Sequence, residues 1–437
     1  MSKIIPLLSC LDIHISAPSL RQLSHLVFAM LCSPGRSTML GLSRWTDKGG
    51  SYRTLQRLYQ TSFNWLGIHW TLFQTHLLRP DNFYIVAVDE VVVSKAGRQT
   101  HGVGRFYSGL AQRVIPSVSF LGLSVVDVSQ GQAYPLAVEQ LMPPVQEPTV
   151  SRSKRPPGRP PGRKNYTKDA PQLSATHQLL QTMLVRLTTQ LQHLQVKHIV
   201  LDGKFGNYPA TWTVRQAGYH IISKMRHDAA VYLPYTGSKP SRGPTPRYGD
   251  KLCYTQLPQA YLVQTEIDDD YLIQTYQMHI YHKDYPDLLN LVVIVKTHRP
   301  TGRGSHVILF STDLELTAPQ IVQYSSLRFQ IEFNCRDAKQ YWGLEDFMNV
   351  SEQAVTNAVN FAFLMVNFSQ IMLAPHRIHD PLFSVLDLKA QFRARRYLDE
   401  TIKLLPQKPT PDLVSRIWRR LTLFGAIRAH SLDDFVA

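Results

Sequence analysis

Cysteine is scarce. Cys10, Cys32, Cys253 and Cys335 are the only four in 437 residues, and none forms a CxxC pair. That spacing argues against a disulfide framework and a cysteine-ligated zinc finger, and it suits a reducing compartment. The 17 histidines show no HExxH-type ligand spacing and read as ordinary. The first residues, MSKIIPLLSCLDIHIS, lack the long apolar core of a signal peptide. Residues 354–374, AVTNAVNFAFLMVNFSQIMLA, come nearest to a membrane span, but Asn357, Asn360, Asn367, Ser369 and Gln370 interrupt them, so a buried core helix is expected. Acid is also short. Asp and Glu number 32 against 47 Lys and Arg, a formal charge of +15. Such an excess speaks about partners, not fold. Nucleic acid is the first polyanion to consider, because a basic protein gains affinity by releasing counterions condensed on phosphates. An anionic membrane surface is the weaker alternative. The expectation is a soluble, intracellular protein.

What is present describes a globular chain, with 44% apolar and 18% charged residues. Residues 1–79 read as mostly helical. LRQLSHLVFAMLC (20–32) and SYRTLQRLYQTSFNWLGIHWTLFQTHLL (51–78) carry helical periodicity, and Arg44, Lys48, Arg53 and Arg57 gather near the second. A small helical DNA-binding module and a plain helical cap both fit. From residue 83 the pattern turns to strands: FYIVAVDEVVV (83–93), PSVSFLGLSVVDV (116–128) and AYPLAV (133–138). A helix over 174–194 with Ser174 as N-cap follows, then strand HIVLDG (198–203), a short helix near 208–217 and strand YHIISK (219–224). This order predicts an α/β mixed sheet with helices packed on it.

Two segments break the pattern. Residues 141–170 hold seven prolines, and SRSKRPPGRPPGRKNYTK (151–168) holds seven Lys or Arg and no acid. Such a segment cannot bury a core and reads as a basic loop, with Arg155, Arg159, Arg163 and Lys164 as DNA-binding candidates. PGRPPGRK is similar to an AT-hook peptide, which lies in a narrow minor groove; generic phosphate binding fits equally. Residues 225–305 are rich in Tyr and alternate polar with apolar, as a β-rich insertion would. The chain then rejoins the main sheet at HVILFST (306–312). HGVGRFYSG (101–109) reads as a hairpin turn, and Asp268–Asp270 as a solvated loop.

Three acids stand out as candidates for chemistry. Asp89 ends the apolar strand YIVAVD and Asp202 ends HIVLD. Carboxylates there sit beside a sheet where ligand clefts form, although Asp at a strand end is also ordinary turn chemistry. The third is Glu332, within YSSLRFQIEFNCRDAKQYWGLE (324–345). On one helix, Tyr324, Arg328, Glu332 and Lys339 would fall at about 0°, 40°, 80° and 60°, a polar stripe between apolar flanks. That stripe reads as charges pointing into a cleft, or as an i,i+4 ion pair on a surface helix. Strand alternation sends Glu90 to the face opposite Asp89. Trp342 reads as packing beneath the helix or as a DNA-stacking ring. Three converging carboxylates would repel one another unless cations joined them, and hard oxygen donors select Mg²⁺ or Mn²⁺ over Zn²⁺. Two such ions suit phosphoryl transfer at a phosphodiester.

These residues resemble the DDE transposases of bacterial insertion sequences, in the cut-and-paste group marked by Tyr-x2-Arg-x3-Glu-x6-Lys. Arg328, Glu332 and Lys339 match that spacing, while Tyr324 lies one residue too far from Arg328. The blocks VDE (88–90) and LDG (201–203) fit as well, and the resemblance covers roughly residues 20–375. It implies an RNase H-like core in which Asp89, Asp202 and Glu332 are catalytic and hold two Mg²⁺ ions, with Mn²⁺ as a substitute. Arg328 and Lys339, with Tyr324, would grip DNA phosphates. The implied layout is an N-terminal helical DNA-binding domain (1–79), a core in three parts (80–140, 171–224, 306–375), the basic loop (141–170), the insertion (225–305) and a C-terminal helical region (376–437). The implied function is metal-dependent cleavage at terminal inverted repeats and strand transfer into target DNA, by a homodimer in the bacterial cytoplasm, associated with the nucleoid. Related enzymes excise through a DNA hairpin and clamp a flipped base with an insertion-domain Trp; this chain has no Trp between 213 and 341. Two alternatives stand beside this: a transposase-derived DNA-binding protein that no longer cuts, and an RNase H-like structure-specific nuclease. The basic helix at 415–430 fits dimer contacts, DNA binding or a packed tail.

Overall fold

The computed structural model describes residues 3–46, 49–109, 111–143 and 171–424. Before the first strand come α1 (Ile4–Leu8), α2 (Ala17–Cys32), α3 (Met39–Ser43), α4 (Tyr52–Gln60) and α5 (Trp65–His76). The periodic run 51–78 is therefore two helices. Asn64 ends the run by turning its side chain to the Gly67 N–H (3.1 Å), which caps α5 and starts a new axis. Next come β1 (Tyr84–Ser94), β2 (Gly104–Ser108), β3 (Arg113–Asp127) and β4 (Gln132–Leu141). The helix expected over 174–194 divides at Leu187 into α6 (Ala175–Arg186) and α7 (Thr188–His193). Strand β5 (His198–Leu201), α8 (Tyr208–Gln216) and β6 (His220–Lys224) follow.

Strands β7 (Val231–Pro234), β8 (Tyr248–Lys251), β9 (Leu262–Asp268), β10 (Tyr271–His282), β11 (Leu289–His298) and β12 (Gly304–Ser311) complete the sheet. The chain then runs through α9 (Ala318–Leu327), α10 (Gln330–Trp342), α11 (Glu352–Arg377), α12 (Val385–Leu404) and α13 (Pro411–Phe424). The sheet order is β2-β3-β1-β5-β6-β12-β11-β10-β7-β8, with β4 also on β3 and β9 on β10. Strand β1 is antiparallel to β3 and parallel to β5, and β5 is parallel to β6. The strands of 225–305 do not stand apart from this sheet. They extend it through β12, which pairs with β6 at Leu309 and Lys224. Segment 101–109, read as a turn, instead contains β2, paired along β3.

Both faces of β1 are covered, which explains its unbroken apolar run. Val86 and Val88 pack with Leu180 and Leu184 of α6 and Val214 of α8. Ile85 and Ala87 pack with Ile321 of α9, and Val91 and Val93 join the core that contains α11. Helix α11 is long and apolar enough to cross a membrane, but most of it is buried inside this fold. Its asparagines explain why. Asn357 accepts from the Trp65 indole N–H (2.8 Å) and donates to the carbonyls of Tyr59 (2.8 Å) and Thr61 (2.7 Å). Asn357→Leu would leave three buried groups unpaired, so it is expected to lower stability by about 2 kcal/mol, read as a lower urea midpoint at unchanged slope.

Candidate active-site cleft

Parallel pairing of β1 with β5 ends at Val88 and Leu201. Asp89 and Asp202 are the next residue on each strand, so two carboxylates stand side by side where neighbouring strands lie about 4.8 Å apart. Asp202 also caps the short turn after β5 by accepting from the Lys204 N–H (3.0 Å), and its carbonyl accepts from Ser223 Oγ (2.8 Å). That turn comes so close to β6 that a Cβ on Gly206 would lie 2.1 Å from the Lys224 carbonyl oxygen; only glycine fits. Glu332 enters from α10, in its first turn. All three acids line one cleft of 1090 Å³, together with Glu90, Arg105, Tyr107, Lys204, Arg336 and Lys339.

The segment 324–345 is not one helix. Phe329, Ile331 and Glu332 each donate to the carbonyl three residues back, and this tighter turn separates α9 from α10. A single stripe at constant angular spacing therefore does not form. Tyr324 is 5% exposed and stacks on Phe83 (5.8 Å, 23°) on the α9 face, away from the cleft, with no surface left for DNA. Arg328 turns inward. Its guanidinium lies 3.6 Å from Asp89 Oδ2 and 3.0 Å from Glu332 Oε1, so it bridges two acids where a phosphate contact was expected. Lys339 Nζ donates to the Val92 carbonyl (3.0 Å) and sits 3.4 Å from Glu345, tying α10 to β1 while reaching the cleft. Gly343, with φ 77°, ends α10 in the left-handed region, against Ser37.

The Asp89 carboxyl is pushed up to about 6, chiefly by burial; Arg328 and the Glu90 N–H hold it down, and Asp202 and Glu332 add to the rise. Glu90 corrects the strand-alternation argument. It does leave β1 on the other face from Asp89, but β1 and β5 part at this point and both acids reach the cleft. Glu90 accepts from Ser119 Oγ (2.6 Å) and pairs with Lys204 Nζ. Trp342 is 1% exposed and is packing, not a stacking surface. Phe329 and Phe333 are exposed, edge to face at 5.6 Å, with Arg336 over Phe333. Arg53 and Arg57 point into solvent from α4. Arg155, Arg159, Arg163, Lys164 and Lys48 lie outside the described residues. Sequence reading set Glu90 aside and did not single out Lys204, Arg105 or Arg336 as lining the cleft. The first two adjoin the acids in VDE and LDGK, which was the available signal.

As donors, three carboxylates suit a hard divalent cation. Among the described residues, no group of three or more His, Cys, Asp or Glu side chains is placed to bind a metal ion, and Arg328 crosses the gap between Asp89 and Glu332. The family model described as DDE superfamily endonuclease matches residues 6–283. That stretch contains Asp89 and Asp202 and stops before Glu332. No curated protein matches the chain.

Proposed function

This chain belongs to the DDE superfamily endonucleases, and from that premise we propose that it is a transposase that cuts DNA at the terminal inverted repeats of its own insertion sequence and joins those ends to target DNA. The observation that carries this reading is the cleft itself, where Asp89, Asp202 and Glu332 share one cavity with Arg105, Lys204, Arg336 and Lys339. Acids to hold cations and cations to hold phosphates are what phosphodiester chemistry requires at one place. The order β4-β3-β1-β5-β6, three antiparallel strands followed by two parallel ones, supports an RNase H-like core.

Asp89, Asp202 and Glu332 would hold two Mg²⁺ ions, or Mn²⁺ in their place. When bound, such ions polarise the phosphodiester and make a nucleophile available at neutral pH. The chain's own residues orient the substrate. Lys339 and Arg336 of α10 and Arg105 of β2 line the same cleft. Arg53 and Arg57 on α4, the basic segment 141–170 and a second copy of the chain complete the proposal: two element ends must be held together before either is joined to target.

The test is to incubate the purified chain with Mg²⁺ and a duplex carrying the DNA that flanks its coding region. Cuts at inverted repeats, followed by joining to a second DNA, support transposition. Cutting without regard to the repeats, and without joining, would replace it with a general nuclease. Lys339→Ala is expected to weaken DNA binding severalfold and to make the log–log salt dependence shallower by about 0.9, one phosphate contact, in gel-shift titrations. An unchanged slope would remove Lys339 from the phosphate contacts.

A further inference from the structure

We propose that Arg328 is an internal stand-in for the metal: without DNA its guanidinium spans Asp89 and Glu332, and a DNA phosphate must draw it away before a divalent cation can join these carboxylates. This rests on the reading of the cleft as an acidic metal site. The contact is one side chain serving two acids, at 3.6 Å to Asp89 Oδ2 and 3.0 Å to Glu332 Oε1. A positive group placed between two of three clustered carboxylates relieves the repulsion that a metal would otherwise relieve. It does so incompletely. The Nη1 group is buried with no hydrogen-bond acceptor, and 3.6 Å to Asp89 is too long for one. An unsatisfied buried donor is a cost that a better acceptor would remove.

A phosphodiester is that acceptor, since it can take two parallel N–H bonds from one guanidinium. The backbone allows the exchange. Arg328 is the C-cap of α9, at the joint with α10, and its guanidinium makes no hydrogen bond within either helix except to Glu332, so moving the side chain leaves both backbone ladders intact. With the guanidinium between Asp89 and Glu332, the described residues present no metal-ready trio. DNA and metal binding are then linked, and each must strengthen the other by the same factor. The acids stay closed to metal until a strand lies in the cleft.

Mn²⁺ binding to the full chain, read from the paramagnetic resonance of the free ion, tests this without turnover. Arg328→Gln is expected to bind Mn²⁺ about tenfold more tightly than the wild type in the absence of DNA. A short random-sequence duplex should tighten wild-type Mn²⁺ binding about tenfold and that of Arg328→Gln by less than about twofold. Glu332→Gln added to Arg328→Gln should erase the gain. If Glu332→Gln weakens Mn²⁺ binding but Arg328→Gln leaves it at the wild-type level, the acids hold the ion and the stand-in proposal is overturned. If the double variant keeps the full gain, Glu332 is not a ligand, and the metal-site reading fails together with the proposal. Should Arg328→Gln not fold, the wild type with and without duplex decides alone: no change on adding DNA overturns the linkage.

Discussion

Asp202→Asn is expected to reduce metal-dependent DNA cleavage by at least about 10³-fold while DNA affinity stays within about twofold of wild type. The substitution separates the two roles of this side chain. Its structural role is to cap the turn after β5 by accepting from the Lys204 N–H, and an asparagine carbonyl oxygen does the same. Its proposed chemical role needs a full negative charge beside Asp89, at the point where β1 and β5 part. Asparagine removes that charge and keeps the shape. Single-turnover cleavage and gel-shift affinity, measured on the same preparation, read the two roles independently. Cleavage at the wild-type rate would take Asp202 out of the metal site.

Lys389 carries the second large effect, in stability. This lysine of α12 is only 6% exposed, and its ammonium donates to the carbonyls of Met30 (2.8 Å) and Tyr341 (3.1 Å) while lying over the Trp342 ring at 4.8 Å. Burial, helped by Arg393, lowers its pKa from 10.5 to about 8. Between pH 8 and 10.5 the unfolded chain therefore holds a proton that the folded chain has released. Raising the pH through that window favours folding, and the contribution is lost as the pH falls through about 8. Relative to Lys389→Met, the wild type is expected to gain about 3 kcal/mol from pH 8 to pH 10.5, read from urea midpoints. A difference that does not change with pH would mean the ammonium titrates normally. Because one nitrogen ties α2 to the last turn of α10, the variant should also loosen the helix that carries Glu332.

Some of this architecture was legible in residue order alone. Continuous apolar runs marked β1, β3 and β5, since strands covered on both faces need no polar alternation. Asp89 and Asp202 stood out because each is the first charge after such a run, and the Arg328, Glu332, Lys339 spacing drew attention to α10. The helical reading of 354–374 also matches α11, whose asparagines bond inside the core.

What tertiary structure decided concerns direction and partnership. The tightened turn at Phe329 left Tyr324 on the α9 face and Arg328 against Asp89 and Glu332, and no helical wheel at constant spacing contains such a joint. Pairing of Arg328 with Asp89 joins residues from a strand early in the chain and a helix late in it. The same is true of Glu90 with Lys204, which depends on where β1 and β5 part. Periodicity and propensity act over a few neighbouring residues, so sequence determined which segments become strand or helix and where the acids end them. Long-range packing determines which charges share one cleft, and that sharing sets the ion pairs and, with burial, the raised carboxyl of Asp89.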